Sequence, residues 1–558
     1  MYQCKRCGAG LRYDIKRESL RCDSCGWMVL PEDVDVEADA EEDTFMDVTV
    51  FRCPQCGGEV YSDDQTAAGF CSFCGESVIL DSRLEKAKRP RYIIPFKVSK
   101  DYCIAQFNYR LMKNIYAPDE LKDINKNHNF RAIYMPYWIY DFTQEGQLKF
   151  SIAKKNNTSK YNDYKTVYAN LEGEYKGISH DASSTFPDPV SERIGPYTTA
   201  NRGGEVSMLK KFYPSYLCGF YADVADIGAD NYRAYESEYC KDITLTLVKN
   251  SINTSATRVV EPEANMLRQI QSTCVCTEMC MFPVWFLAFK RHKRVAYAAV
   301  NGQTGKLIAD IPISIKRFAM YSALLTLPLF LLFYIIPLTP YRFMTYVASF
   351  LVVYMTHLYH KELKRLVDRD LLADDIGRRM KNDRSIMKVF KHSSRREGRV
   401  KQRVFSEVGT FSNGSSMPIS EEGISGIFGF IIGIFYLIVS GIQSFGFSGV
   451  DTKSLSDGGR TMVFVAVGLL ILCELYLVII TFLKTIKIKS GNKRFGFLVG
   501  FVTVIGAGIT ILRNSANDSD FAGSVVICCI GIAFMIIDIV SNHNYFSTLP
   551  SPQFKRRK

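Results

Sequence analysis

Several things are missing from this chain, and each absence excludes a class of protein. No secretory signal peptide opens it. Met1-Tyr2-Gln3-Cys4-Lys5-Arg6-Cys7 leads straight into cysteines, which argues against a secreted disulfide scaffold. No Gly-x-Ser-x-Gly, His-Glu-x-x-His or phosphate-binding Gly-x4-Gly-Lys-Ser/Thr occurs. The chain is therefore read as a non-enzyme. Basic residues are absent from 32–47, where nine Asp and Glu crowd together, and Arg52 is the only one in 51–80. A tandem nucleic-acid reader needs positive charge throughout, so nucleic acid is a disfavoured partner. Residues 1–26 are the exception, with Lys5, Arg6, Arg12, Lys16, Arg17 and Arg21 against three acidic residues.

The formal charge of the 558 residues is nevertheless +12. The excess sits in 361–423 and 484–494, each net +5, and in the tail 541–558, net +4. All three segments adjoin apolar runs. That placement fits the positive-inside bias and attraction to anionic lipid.

Eight of the 17 cysteines form two copies of one pattern. Cys4-x2-Cys7 precedes Cys22-x2-Cys25, and Cys53-x2-Cys56 precedes Cys71-x2-Cys74, each cysteine recurring 49 positions later. Gly8, Gly26, Gly57 and Gly75 follow the second cysteine of each pair. Two cysteines three apart in a tight turn, with a permissive glycine behind them, aim both sulfurs at one ion. Two such turns supply the four thiolates of a closed structural Zn²⁺ site, so two structural zinc ions are expected. Each unit of roughly 25–30 residues is too small for a sufficient apolar core, so the metal must supply much of its folding energy. Thiolate ligands also put the N-terminus in a reducing compartment, the cytosol. The ribbons can contact protein, cap the next domain, or, for the first, touch phosphate.

Residues 90–312 read as a β-rich α+β domain. Ser99–Tyr116 forms a helix with Ser99 as N-cap, closed by Pro118, and 228–250 a second helix. Strands are expected at Trp285–Lys290, Val295–Val300 and Lys306–Ile311, with turns at 291–294 and 301–305. In the second turn Gly302 and Gly305 are expected to supply positive φ. Met135-Pro136-Tyr137-Trp138 and Phe282-Pro283-Val284-Trp285 echo one another. Cys274, Cys276 and Cys280 fall on one strand face and read as small buried residues. His180, Asp181 and Asp188 read as a polar loop.

Six apolar runs follow, at 318–338, 343–360, 424–446, 462–483, 495–512 and 521–540, each long enough to span a bilayer. Basic segments alternate with the poorly charged 447–461 and 513–520, which gives six spans with both termini cytosolic. Gly429-x3-Gly433 and Gly496-x3-Gly500 suggest close helix packing. Pro328 is expected to kink the first span. Glu474, near the centre of the fourth, reads as an intramembrane proton or ion site, or as a hydrogen-bonded packing residue. Asp538 is expected at a membrane edge.

The fold class expected is thus multidomain: small β zinc ribbons, an α+β soluble domain and an all-α polytopic membrane domain of six helices. Its segments are ribbon one at 1–30, an acidic linker at 31–50, ribbon two at 51–80 and the cytosolic domain at 90–312. A transmembrane hairpin at 318–360, a basic cytosolic loop at 361–423, four transmembrane helices at 424–540 and a basic tail at 541–558 complete the chain.

An ordered set of motifs carries a resemblance. It comprises the tandem Cys-x2-Cys-Gly ribbons, Ile94-Pro95-Phe96-Lys97-Val98, Tyr134-Met135-Pro136-Tyr137-Trp138, Tyr216-Leu217-Cys218-Gly219-Phe220, Pro283-Val284-Trp285 and Asn301-Gly302-Gln303-Thr304-Gly305-Lys306. Over about residues 1–312 the chain resembles bacterial tandem zinc-ribbon membrane proteins of the YdjG type. Such proteins often carry names such as TFIIB-type zinc-ribbon or primosomal-helicase-like protein. The resemblance implies a membrane anchor working beside phage-shock-like or flotillin-like membrane-stress proteins. The large six-span half departs from that picture and is more than anchoring needs. An adaptor that recruits proteins to the membrane is the leading expectation. A transporter or channel using Glu474, and a membrane-tethered nucleic-acid binder using ribbon one, are the alternatives. The expected partners are membrane lipid and protein, and self-association into a homo-oligomer stays open.

Overall fold

The computed structural model describes residues 2–34, 45–121, 130–324, 341–372, 457–487 and 495–550. Short internal breaks at 57, 63–67, 72–76, 80, 156–161, 184–185, 187, 196, 198–208, 254–256, 292–293, 323 and 514–516 lie outside the description.

A sheet of thirteen strands organises the soluble part. Its spine is three long strands, Arg131–Lys155, Asn162–Asp181 and Gln271–Arg291. The first pairs antiparallel with the third along 131–145 and with the second along 137–155. Tyr, Phe, Trp, Val and Ile dominate these strands because β-branched and aromatic side chains pack well on a pleated surface. The two echoing motifs are direct neighbours in this sheet, with Tyr134 opposite Pro283 and Met135 opposite Phe282. Arg294–Asn301 and Leu307–Ala309 extend the sheet beyond the third long strand.

Helix α1, Lys100–Lys113, begins where expected, and the Ser99 hydroxyl accepts from the Tyr102 amide at 3.4 Å. It buries Cys103, Ile104, Phe107 and Leu111, one face at i, i+1, i+4 and i+8. Helix α2, Asp230–Ile252, covers the long strands from another side. At the centre of the core, Phe96 lies edge-on to Tyr134 and Trp285, with ring centroids at 4.9 and 5.4 Å. Phe220 completes the nest at 4.8 Å from Phe96.

The 301–305 turn is a turn, as read from the sequence. Asn301 is fully buried, and its side-chain oxygen accepts from the amides of Gln303 and Thr304 at 2.9 Å each. One detail differs from expectation. Only Gly305 has positive φ, at 76°. Gly302 is needed for close approach instead, since an added Cβ would lie 2.7 Å from the Phe96 ring and from Pro283. Gly302→Ala is therefore expected to destabilise the domain by roughly 1–3 kcal/mol through overpacking, read as a lower midpoint in thermal melting. An unchanged midpoint would show that Phe96 can shift aside at no cost.

The described C-terminal residues are mostly helical. It comprises α3 (Tyr341–Leu372), α4 (Asp457–Lys487), α5 (Gly496–Arg513) and α6 (Asp518–Phe546). Three helices among the described residues are long and apolar enough to cross a membrane, Val465–Ile486, Gly496–Arg513 and Ser519–Tyr545. The expectation of six spans is not met among the described residues. Of the expected spans, 424–446 and most of 318–338, with Pro328, lie outside them, as does the Gly429/Gly433 pair. The run 343–360 is helical within α3, but His357, His360 and three tyrosines dilute its apolar character. It packs against all three apolar helices.

Gly496 and Gly500 do mark close packing. A Cβ at Gly500 would lie 3.1 Å from Met535 of α6, and one at Gly496 would meet the Asp538 carboxylate. Asp538 is buried rather than at an open edge. Its Oδ2 accepts from the Gly496 amide at 2.7 Å, the first turn of α5, where the helix dipole favours a negative partner.

Two connections tie the bundle to the sheet. The Asn544 side chain bonds both the amide and the carbonyl of Ile313, at 2.6 and 2.8 Å. Beyond α6, Leu549–Pro550 adds a short strand to the sheet, with Leu549 opposite Val295 and Pro550 opposite Arg294.

Candidate metal centres

The first centre is assembled by two copies of one backbone device. In one, the Cys4 amide donates to the Ala9 carbonyl at 2.7 Å and the Gly8 amide to the Cys4 carbonyl at 2.9 Å. In the other, Cys22 donates to Trp27 at 2.8 Å and Gly26 to Cys22 at 2.9 Å. Gly8 and Gly26 sit at φ 74° and 70°, the left-handed region that the glycine after each pair was expected to supply. The strands Leu11–Asp14 and Ser19–Cys22 pair antiparallel, with Leu11 opposite Cys22, and deliver the two turns to the same point.

There the sulfurs of Cys4, Cys7, Cys22 and Cys25 all lie within 4.8 Å of one another. Cys4 and Cys25 are 3.5 Å apart, and Cys7 and Cys22 3.4 Å apart. A tetrahedral ion with bonds of about 2.3 Å to sulfur sets a sulfur–sulfur edge of about 3.8 Å, so the cluster fits such an ion with little adjustment. The Arg6 amide points at the Cys4 sulfur at 3.4 Å, a contact that stabilises a thiolate.

The four crowded thiols shift one another's ionisation. The backbone at Cys25 pulls the Cys22 thiol down to about 7. For Cys7 the Ala9 amide pulls down, but Cys22, burial, Cys25 and Cys4 together push the group up to about 12. Four thiolates this close cannot all ionise without a cation between them.

The second centre repeats the geometry. Cys53, Cys56 and Cys71 lie within 4.8 Å of one another and are buried, with Cys56 and Cys71 3.7 Å apart. Cys53 donates to the Gly58 carbonyl at 2.9 Å. The expected fourth ligand, Cys74, lies outside the described residues. Among the described residues, each cluster draws on the cysteines of its own repeat. Both clusters can hold a metal ion.

The spacing did not reveal how the ribbons are mounted. Ribbon one is docked on the sheet domain. Tyr13 packs on Tyr216 and Phe220 at 5.6 and 6.0 Å, and its amide donates to the Cys218 carbonyl at 3.1 Å. Arg12 lies along Gly219, whose φ of 85° opens the space. Lys210 pairs with Glu18 at 3.2 Å. Ribbon two is part of the sheet. Its strand Glu59–Ser62 pairs with Tyr221–Asp223 and with Phe45–Arg52. Phe45–Arg52 begins inside the stretch read as linker and pairs on its other edge with Asp81–Lys88. The signal for ribbon one was Tyr13, an aromatic residue on a unit too small to bury it alone.

Other residues singled out in the sequence have different fates. Cys280 is fully buried, while Cys274 and Cys276 are half-buried beside a bulge opposite Asp141 and Phe142. His180 and Asp181 do not form a polar loop. They end a long strand and are buried under α2, where His180 stacks on Tyr232 at 3.9 Å. Asp188 begins a separate short helix, Asp188–Ile194.

Glu474 is wholly buried between α4 and its neighbours. Its Oε1 accepts from the Thr356 hydroxyl at 2.7 Å. An ionised carboxylate at such depth costs at least about 2.5 kcal/mol on membrane-insertion scales.

Comparison with known proteins adds little identity. No protein-family model matches the chain, and no solved structure matches it. Among curated proteins it is similar to "Uncharacterized protein YdjG" of Bacillus subtilis (strain 168), 23% identical over 326 residues. The match spans 57% of this chain and 92% of that protein.

Proposed function

We propose that this protein is a zinc-stabilised integral-membrane adaptor whose ribbons and sheet form a rigid cytosolic platform for recruiting other proteins. Two structural Zn²⁺ ions occupy the cysteine clusters, the fourth ligand of the second being Cys74. The observation that carries the reading is the mounting of the ribbons. A ribbon on a free linker would search for partners on its own, whereas here Tyr13 and the Glu59–Ser62 strand fix both ribbons to one domain. That domain is tied in turn to a membrane helix through Asn544 and Leu549. Both chain ends then share the cytosolic face, where the basic segments meet anionic lipid. The resemblance suggests phage-shock-like or flotillin-like membrane proteins as partners.

The phosphate-binding alternative is weakened by the same contacts. Arg12 is engaged along Gly219, Arg17 on Met28 and Arg21 with Asp14.

The test is in-cell crosslinking, detergent purification and mass spectrometry, with and without nuclease. Partners resistant to nuclease and lost in the Cys4→Ser/Cys7→Ser variant are the expected result. Recovery of nucleic acid alone, or of the same proteins from the variant, would refute the adaptor reading.

A further inference from the structure

The helix bundle contains a polar seam. On α3 the buried residues Thr345, Ser349 and Thr356, followed by half-buried His360, recur at intervals of four, seven and four, which is one helix face. On α4 the buried residues Glu474, Thr481 and Thr485 recur at seven and four. The two faces meet. Thr356 bonds Glu474 at 2.7 Å, and one helical turn on, His360 Nδ1 lies 3.1 Å from the Thr481 hydroxyl. Lys484 Nζ then lies 2.8 Å from His360 Nε2. An ammonium can only donate, so Nε2 accepts and Nδ1 carries the ring proton toward Thr481. Packing alone does not call for this continuity, because α3 and α4 have leucine and valine enough to fill the interface.

We propose that Glu474 and Thr356 form a proton-binding site inside the bundle, reached along the seam from the Lys484 end. Glu474 Oε2 has no hydrogen-bond partner among the described residues, and the side chain is wholly buried. The Thr356 hydroxyl lies within reach of three acceptors: Glu474 Oε1, the Val352 carbonyl at 3.2 Å and the Met535 sulfur at 3.4 Å. It has one proton to give. When Glu474 is ionised, that proton points to Oε1. When Oε1 takes up a proton, the carboxyl donates to Thr356, whose own proton turns to the Val352 carbonyl. One proton enters, one O–H bond forms, and no other covalent bond changes. The ligand is a proton rather than a metal cation, because one carboxylate, one hydroxyl and a thioether give too few oxygens for a hard ion.

Along the seam the other ionisable groups are Tyr346, Tyr354, His357, Tyr359 and His360 between Thr345 and His360 of α3, Cys473, Tyr476 and Lys484 between Val467 and Thr485 of α4, and Cys528, Cys529 and Asp538 between Phe521 and Val540 of α6. Helix α5 has none between Gly496 and Thr510. Asp538 is engaged with the Gly496 amide. From Thr356 the seam runs one way to Ser349 and Thr345, which carry no titratable group, and the other way to His360 and Lys484, which makes that end the titratable approach to Glu474.

The test is infrared titration of the full chain in phosphatidylethanolamine–phosphatidylglycerol vesicles, from acidic to alkaline buffer. Wild type should show a protonated-carboxyl C=O band that titrates reversibly. The band should vanish in Glu474→Gln and shift in frequency in Thr356→Val. His360→Ala should keep the band but slow its exchange in heavy water. Spectra of Glu474→Gln identical to wild type, or a carboxyl band unmoved by buffer and by Thr356→Val, would overturn the proposal. Thr356→Val preserves side-chain volume and keeps the test decisive should Glu474→Gln fail to fold.

Discussion

On the proposed two-zinc reading, replacing Cys53 and Cys56 together with serine is expected to lower bound zinc from two ions per chain to one and to loosen the whole soluble domain. The first effect follows from the donor set. Two of the second cluster's thiolates are lost, while Cys4, Cys7, Cys22 and Cys25 stay within 4.8 Å of one another. The second follows from the mounting. The Glu59–Ser62 strand bridges Phe45–Arg52 and Tyr221–Asp223, so its loss detaches the strand stack that includes Asp81–Lys88. A structural zinc site contributes on the order of 10 kcal/mol to its unit. Metal content measured on purified protein, with thermal melting alongside, checks both effects. Membrane attachment should persist, since the apolar helices lie elsewhere in the chain. Unchanged zinc content would remove Cys53 and Cys56 from the ligand set.

Phe96→Ala is expected to be the most damaging single change in the soluble domain. The ring is fully buried and touches Tyr134, Phe220 and Trp285 at centroid distances of 4.8–5.4 Å. Its removal leaves a cavity that three rigid aromatic neighbours cannot fill, at a cost of about 3–5 kcal/mol. Phe220 also supports Tyr13 of ribbon one, so the damage should reach the docking face. Proteolysis of the purified chain reads this directly, with cleavage near residues 1–30 appearing in the variant first. Wild-type melting and cleavage would show that the nest is not a keystone.

What was legible in the sequence was local. The cysteine pairs, with Gly8 and Gly26, pointed to the candidate metal centres, because four residues in a tight turn determine their own geometry. Ser99 started a helix for the same reason, although it ends at Lys113, with Asn114 as C-cap, rather than running to Tyr116, and Gly496 and Gly500 announced a close contact. What was hidden is held at long range. Tyr13 reaches Tyr216, and Glu59–Ser62 finds a partner strand far along the chain. His180 and Asp181 looked like loop residues because polar side chains at a strand end carry no periodic signal, yet α2 buries them. Of the expected spans, 424–446 and most of 318–338 lie outside the described residues, and 343–360 departs from expectation for a different reason. A run without Lys, Arg, Asp or Glu is not necessarily apolar, and Thr345, Ser349, Thr356 and His360 of 343–360 face a polar seam within the bundle.

The short strand at Leu549–Pro550 alters what chain connectivity means in this molecule. The polypeptide leaves the sheet after Ala309, runs through the bundle and returns to the neighbouring strand at Val295 and Arg294. Asn544 fastens the return a second time, at Ile313. The helices therefore form a closed circuit with the sheet, in which α6 is spliced to strands laid down before the first helix of the bundle. Helix α3 stands on one side of the long connection 373–456 and α4 to α6 on the other, yet their packing and this returning strand join the two sides without it. Among the described residues, mechanical continuity between α3 and the helices that follow it thus runs through non-covalent seams.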